Sequence, residues 1–403
     1  MAESKSSGKS ARRVSLAPLL WYFLRLGLTG FGGPVALANY MRRDLTDRYG
    51  WISTEEYDEG LAIATACPGP LAYQLGVYCG YITHGSLGAI GVAVAFAAAP
   101  FLIVIVVAAL YVQLGSTWQL RGIFYGVGPV VIAIIARSCW DLGRKTLRQE
   151  SLAYAFAAIA CVITIAVQQE LIALFLIAGA LGIFLFNRPA PPSAEPRAGS
   201  TEAPRQTRVS FSVVVSIVSG AYQNVALPKL FWFFFKTGLL VFGSGLVIVP
   251  FLKTYVVDQY HWLSNQAFLD AVAVGIISPG PVVITATFVG YLNHRLPGAI
   301  AATVGIFTPS LIFVMLGTPI LRRYRQNSRV QGFVRGVTVA VVGVLLGTSF
   351  LVARSTIRDA LGVTILILAL VALWSKWKVP EPALVAAGAV IGLGATFFAQ
   401  GRP

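Results

Sequence analysis

The four residues Cys67-Pro68-Gly69-Pro70 recur about 210 residues later as Ser278-Pro279-Gly280-Pro281. Two prolines around a glycine interrupt a helix, because proline has no amide donor and its ring clashes with the preceding turn. The surrounding sequence repeats with the motif, and the match runs outward through Trp21, Arg25, Gly27, Phe31 and Glu59, which correspond to Trp232, Lys236, Gly238, Phe242 and Asp270. After one residue is lost from the second copy, the match continues through Gly80 and His84, which correspond to Gly290 and His294, and a further one-residue shift brings Pro100 onto Pro309. The chain is therefore a duplicated unit.

The composition identifies the class of protein. Of 403 residues, 56% are hydrophobic and 12% are charged, and the mean hydropathy is +0.74. A soluble domain carries about 25% charged residues, so we expect an all-α polytopic integral membrane protein whose main surroundings are the lipid bilayer. The net charge of +15 comes largely from basic residues in short loops between apolar runs, which is typical of topology-setting charges. No nucleic-acid partner is expected.

The chain divides into five parts by composition. We expect a basic cytoplasmic N-terminal tail over 1–15, a first repeat over 16–187 and a second repeat over 229–400. A flexible linker rich in proline covers 188–210, and an extra apolar stretch at 211–228 has no counterpart in the first half. Each repeat contains six apolar segments, and the long ones can cross about 30 Å of hydrocarbon as helices.

The loop charges predict the orientation of the repeats. If the stretch 211–228 crosses the membrane once, the second repeat is inverted, and six basic residues face the cytoplasm as the positive-inside rule prefers: Arg322, Arg323, Arg325, Arg329, Lys376 and Lys378. We therefore predict inverted repeats, about 13 transmembrane segments with discontinuous helices, and a cytoplasmic N-terminus. The alternative is an interfacial helix at 211–228, because this stretch is short and contains Gln223 and Asn224.

The first segment of each repeat contains a run of glycines. A glycine costs a helix about 1 kcal/mol, so both runs should break the helix. Matching interruptions in two repeats point to the substrate site of a transporter, where free N–H groups at a break can bind an anion. The candidate residues are Thr29, Gly30, Gly32 and Gly33 in the first repeat and Gly243, Ser244 and Gly245 in the second. The alternative is close helix packing through small residues.

Arg25 and Lys236 occupy equivalent places shortly before these glycines. A cation in the hydrocarbon region costs roughly 2.5–3.5 kcal/mol on insertion scales, so it usually serves a pathway or pairs with another group. If pseudo-symmetry brought the two together, they would form an electropositive centre suited to a dianion. The alternative is that both side chains extend to the membrane interface.

The Pro-Gly-Pro turns provide a second pair of interruptions. Gly69 and Gly280 should kink or unwind their helices, and Gln74 and Thr285, which follow closely, could donate to substrate oxygens. The alternative is a purely structural kink.

Glu59 and Asp270 match at the start of the same segments. A carboxylate inside the membrane could carry a coupling proton. Both residues could equally be solvated at a helix N-terminus, where a negative charge is favourable.

Taken in duplicate, Phe31-Gly32-Gly33-Pro34 and Pro68-Gly69-Pro70 with Gly80-Tyr81 resemble the chromate ion transporter (CHR) family in its long two-domain form. The resemblance implies a carrier in the bacterial inner membrane that exports chromate and confers chromate resistance, with relatives linked to sulfate transport. The second glycine run, Phe242-Gly243-Ser244-Gly245, departs from the family's Phe-Gly-Gly-Gly pattern and adds a hydroxyl.

Three function hypotheses follow from these observations. The first is chromate export driven by the membrane potential or by proton exchange, and the second is transport of sulfate or another oxyanion. The third is an intramembrane enzyme, which is disfavoured because no nucleophile, base and orienting group occur together. We expect no cofactor and no metal site, and small-residue faces could support a homodimer.

Overall fold

The computed structural model describes residues 14–30, 33–114, 117–147, 150–167, 171–185, 226–243, 245–324, 327–357, 359–375 and 379–400. Most of the predicted tail, the linker at 188–210 and nearly all of the stretch at 211–228 lie outside the described residues, as do Gly32 and Ser244. The described part is almost entirely helical.

In the residues that the structure describes, the first repeat has seven helices and one very short strand. In chain order they are α1 (Leu16–Thr29), α2 (Gly33–Met41) continued by π-helical turns (Arg42–Arg48), α3 (Thr54–Ala66), β1 (Gly69–Pro70), α4 (Leu71–Leu114), α5 (Trp118–Leu147), α6 (Ser151–Val167) and α7 (Leu171–Leu185).

The second repeat follows the same order. It consists of α8 (Ala226–Gly238), β2 (Phe242–Gly243), a 3-10 turn (Gly245–Val247), α9 (Ile248–Phe251) continued by π-helical turns (Leu252–Gln259), α10 (Asn265–Ile277), a 3-10 turn (Val282–Ile284), α11 (Thr285–Tyr324), α12 (Ser328–Thr356), α13 (Ala360–Trp374) and α14 (Glu381–Gln400). The duplication in the sequence is therefore a duplication of the fold.

The short helices α3 and α10 show how the sequence sets these boundaries. Each begins at an equivalent serine whose hydroxyl accepts a backbone N–H of the first turn: Ser53 from Glu56 at 3.2 Å and Ser264 from Ala267 at 3.1 Å. Each ends where the Pro-Gly-Pro motif begins. The Pro-Gly-Pro motif consequently separates α3 from α4 in the first repeat.

Each of the long helices α4 and α11 is a helical hairpin. The chain leaves helical geometry at His84 and Gly85 in α4, and at His294 and Arg295 in α11. A Cβ atom on Gly80 would overlap the carbonyl oxygen of Gly88, although residues eight apart in a straight helix are separated by about 12 Å. The chain therefore reverses direction at the histidine in each of these two helices.

The two repeats are interlaced. The hairpins α4 and α11 pack against each other; α5 packs against α13 and α14 of the second repeat, and α12 packs against α6 and α7 of the first. Glycines allow this close approach: a Cβ atom on Gly126 of α5 would overlap the carbonyl oxygen of Gly388, and one on Gly182 would overlap that of Gly332. Close packing through small residues therefore occurs at these interface glycines.

Among the described residues, five helical stretches are long and apolar enough to cross a membrane: the two hairpin stretches Leu71–Leu114 and Val282–Leu316, and the helices Gly122–Arg144, Ser328–Arg354 and Glu381–Phe398. Five further apolar helices have 10–17 residues. The structure thus establishes a multi-pass helical protein, whereas the count of 13 crossings and the inverted arrangement stay predictions.

Candidate functional site

The Pro-Gly-Pro turn of each repeat contacts the glycine break of the other repeat. Strands β1 and β2 pair in parallel, with Gly69 opposite Phe242 and Pro70 opposite Gly243, and the Gly69 N–H donates to the carbonyl oxygen of Val241. Reciprocally, the Gly280 N–H donates to the carbonyl oxygen of Gly30 at 2.9 Å. We call these two hydrogen bonds the crossed links.

The motif explains why only the glycine forms each link. Proline has no N–H, so the central glycine carries the sole backbone donor of the three residues. Gly69 and Gly280 have φ angles of +137° and +87°, which glycine adopts without a steric penalty. Because both donors are engaged, these two predicted anion donors join the repeats in this structure; their role in substrate binding stays a prediction.

The helices that carry the glycine breaks pack closely on the hairpins. A Cβ atom on Gly27 would lie 2.5 Å from the carbonyl oxygen of Phe96, and one on Gly238 would lie 2.5 Å from that of Ile306. A Cβ atom on Gly280 would lie 3.1 Å from the Cγ atom of Pro100. The interruptions of both repeats therefore meet in one buried centre.

The other glycine-run candidates lie around this centre. Gly30 is buried, Gly33 is the first residue of α2, and Gly243 lies opposite Pro70. Gly245 is buried, and a Cβ atom there would lie 3.4 Å from the backbone nitrogens of both Val282 and Val283. Thus Gly245 lies against the first amides of the segment leading into α11.

Arg25 and Lys236 lie on exposed faces and not in the buried centre. Each is one helical turn after an exposed tryptophan: Trp21 is 67% exposed and Trp232 is 52% exposed. The ammonium of Lys236 lies 5.6 Å from the ring centroid of Trp232. This placement corrects the expectation that the two cations meet inside the centre, and it agrees with the interface alternative, because long cationic side chains beside tryptophan are typical of membrane interfaces. Thr29 is also exposed and donates to the carbonyl oxygen of Arg25 at 2.9 Å.

Gln74 and Thr285 occupy equivalent positions and are both fully buried, but their hydrogen bonding differs. The Thr285 hydroxyl donates to the carbonyl oxygen of Val282 at 2.8 Å, within its own turn. The Nε2 atom of Gln74 donates to the carbonyl oxygen of Pro68, and its Oε1 atom has no partner. Of the two residues, Gln74 therefore has the free polar atom.

Asp270 is a buried carboxylate held by neutral groups. It is 1% exposed, and it accepts hydrogen bonds from the Tyr111 hydroxyl at 2.8 Å and from the Gln266 amide at 2.9 Å. Tyr111 belongs to α4 of the first repeat, so this bond also joins the repeats. Glu59, its counterpart, is partly exposed and accepts from Tyr78 at 3.3 Å. The solvated alternative therefore suits Glu59 better than Asp270.

Two residues that contact the candidate site residues were not predicted from the sequence. Tyr111 lies within a long apolar run, where nothing marks its hydroxyl as a partner for a residue 159 positions away. Ser310 follows Pro309, the counterpart of Pro100, and this position in the repeat alignment was the only available signal.

The comparisons with known proteins agree on the family. The model of the chromate transporter family matches residues 17–183 and 228–393, one match for each repeat. The "Chromate transport protein" of Cupriavidus metallidurans is 42% identical over 388 residues, which cover 95% of this chain and 94% of the relative. The "Probable chromate transport protein" of Synechococcus elongatus is 39% identical, covering 94% and 95%. The "Chromate transport protein" of Pseudomonas aeruginosa is 30% identical, covering 87% and 84%. No solved structure matches the chain. With both repeats matched and the relatives aligned almost end to end, the chain belongs to the chromate transporter family.

Proposed function

We propose that this protein exports chromate from the cytoplasm across the bacterial inner membrane and so confers chromate resistance. The names of its relatives support chromate as the substrate. The observation that carries the proposal is the pair of crossed links, which place the helix interruptions of both repeats in one buried centre. Interrupted helices at a repeat interface are where secondary transporters bind their substrates.

Transport proceeds by opening the crossed links one at a time. With inverted repeats and a cytoplasmic N-terminus, the two links are related by an axis in the membrane plane, so opening one gives access from one side. The amides freed by opening, those of Gly69 or Gly280, then become available to an oxyanion. The glycine donors predicted from the sequence thus act in the open states.

The membrane potential favours export of an anion from a negative interior. Each elementary charge gains about 2.3 kcal/mol per 100 mV, which is sufficient to drive accumulation against a gradient. Proton exchange adds to this drive if a protonatable group alternates between the two sides.

Asp270 is the proposed proton carrier. It is buried, its hydrogen-bond partners Tyr111 and Gln266 are neutral, and Tyr111 comes from the other repeat. Separation of the repeats therefore removes a hydrogen bond from the carboxylate, so its affinity for a proton depends on the conformation. This is the property that a coupling site requires.

Arg25 and Lys236 attract the anion to the protein surface. Their exposure supports a long-range role, because surface charges raise the local concentration of an oppositely charged ligand. Such attraction weakens as salt is added.

Chromate accumulation in cells tests the proposal. Cells that produce the protein should hold less chromate and tolerate more of it than cells with the empty vector. Equal accumulation, with membrane expression verified, would contradict the proposed function.

A further inference from the structure

Two fully buried polar side chains from different repeats meet at Gly69. Gln74 comes from α4 and Ser310 from α11, and both are 0% exposed. A Cβ atom on Gly69 would overlap both the Nε2 atom of Gln74 and the Oγ atom of Ser310. The two side chains therefore flank the glycine that forms the first crossed link.

Each of these side chains has an unpaired polar atom. The Nε2 atom of Gln74 donates to the Pro68 carbonyl, which fixes the amide orientation and leaves the acceptor Oε1 without a partner. The Oγ atom of Ser310 has no partner either. Other hydroxyls on the same helix donate to the carbonyl four residues earlier, as Thr303, Thr308 and Thr318 do. Buried polar atoms are normally paired, so this donor and acceptor fit a ligand that binds both.

The other repeat shows that the fold does not require this pair. Counted from the Pro-Gly-Pro motif, Gln74 corresponds to Thr285, whose hydroxyl is paired within its own turn. Ser310 corresponds to Pro100 when counted from His294 and to Phe101 when counted from Pro309, and neither has a polar side chain. The polar pair is therefore present on only one side of the centre. The other repeat packs the equivalent positions without it, so packing alone does not require it.

The chemistry of the pair selects among oxyanions. A hydroxyl can donate to any oxyanion, but the Oε1 atom of an amide only accepts. A fully deprotonated tetrahedral dianion has no hydrogen to give, so it would leave Oε1 unpaired. A singly protonated oxyanion satisfies both groups. Chromate is partly protonated near neutral pH, whereas sulfate and selenate, as anions of strong acids, are fully deprotonated.

We propose that Gln74 and Ser310 form the contact that selects hydrogen chromate over sulfate-like dianions. Ser310 donates to an oxygen of the ligand, and the hydroxyl of the ligand donates to Oε1 of Gln74. The packing around Gly69 is tight, so the ligand binds when the Gly69–Val241 link opens. This inference rests on the proposed function and adds the selected form of the substrate and the two residues that recognise it.

Competition in proteoliposomes tests the inference. The full-length protein is reconstituted, and uptake of labelled chromate at neutral pH is measured against unlabelled chromate, sulfate and selenate. Selenate is the sharper probe, because it is close to chromate in size and differs in protonation. In the wild type, selenate should compete at least about ten-fold more weakly than unlabelled chromate.

The two side chains should give different results when changed. Gln74→Met removes the acceptor, so the preference for chromate over selenate should fall about ten-fold, equivalent to about 1.4 kcal/mol. Ser310→Ala removes the donor that every oxyanion uses, so both anions should bind about ten-fold more weakly with their ratio preserved. Thr308→Val is the matched control, because the Thr308 hydroxyl already donates to the carbonyl oxygen of Val304 at 2.6 Å. This variant should leave the binding of both anions and their ratio unchanged.

Each result bears on one claim. A wild-type protein that transports no chromate contradicts the proposed function. A wild type that transports chromate but accepts selenate equally well overturns the inference, as does an unchanged ratio in Gln74→Met. If the pair held only a buried water, Gln74→Met would change the unfolding temperature and leave the ratio intact. Should Gln74→Met fail to fold, Gln74→Asn withdraws the same acceptor with less change in polarity, and the same criteria apply.

Discussion

Replacing Gly69 with alanine should show whether this glycine is tightly packed in the buried centre or lies in an ordinary turn. Gly69 has a φ of +137°, a conformation that costs a residue with a side chain about 1–3 kcal/mol. The added Cβ would also overlap Gln74 and Ser310, and overpacking of a buried site costs about 1–3 kcal/mol more. Gly69→Ala should therefore destabilise the protein by about 2–6 kcal/mol and abolish transport.

Gly85→Ala provides the matched control. Gly85 has a φ of +60°, but nothing lies within 4 Å of the position that its Cβ would take. The equivalent position in the second repeat is occupied by Arg295 with a φ of +52°, so a side chain is tolerated in this turn. Gly85→Ala should cost about 1 kcal/mol and retain transport.

The assay compares the two variants in the same detergent. Thermal unfolding is followed by the loss of the monodisperse peak in size-exclusion chromatography, and transport is measured after reconstitution. Gly69→Ala should unfold at a clearly lower temperature than Gly85→Ala. Equal unfolding temperatures and equal transport in the two variants would refute the packing at the first crossed link.

Three further predictions concern the charged residues. Asp270→Asn should abolish the response of chromate flux to an imposed proton gradient, whereas Glu59→Gln should reduce it less than two-fold; a normal response in Asp270→Asn would remove the proposed proton carrier. Replacing Arg25 and Lys236 together with glutamine should raise the KM for chromate several-fold at low salt and little at high salt, and a loss of maximal rate at all salt concentrations would instead make them direct ligands. Asp359 caps α13, accepting from the Gly362 N–H at 2.8 Å, and the Tyr125 hydroxyl and this N–H lower the pKa of its carboxyl. The cap therefore stabilises the fold at pH values above the ordinary carboxyl pKa, and this stabilisation is lost as the pH falls through the lowered pKa of Asp359. Asp359→Ala should cost about 1 kcal/mol of stability at neutral pH and nothing at strongly acidic pH, measured by thermal unfolding.

The elements of the fold were largely predictable because glycine and proline act locally. The breaks after α1 and α8 and the Pro-Gly-Pro turns occur at the residues that the sequence marked, and the hairpin turns occur at His84 and His294. Duplication strengthened these predictions, since each feature was seen twice.

The partners of these interruptions were not predictable, because they are set by packing between repeats. The sequence shows that Gly280 has a free donor, but not that it reaches Gly30. Likewise, Arg25 has the same chemistry on either face of α1, and only the neighbours of the helix decide which face is exposed. Similarly, Ser310 becomes a candidate only because it lies beside Gly69 and Gln74, which belong to the other repeat.

Chromate flux in protein-containing liposomes under an imposed membrane potential tests the central claim most directly. With the potential set positive inside, the wild-type protein should carry chromate inward at a rate that rises with the potential, and Gly69→Ala should reduce that rate to the level of protein-free liposomes. Wild-type flux equal to that of protein-free liposomes at every potential would contradict the account.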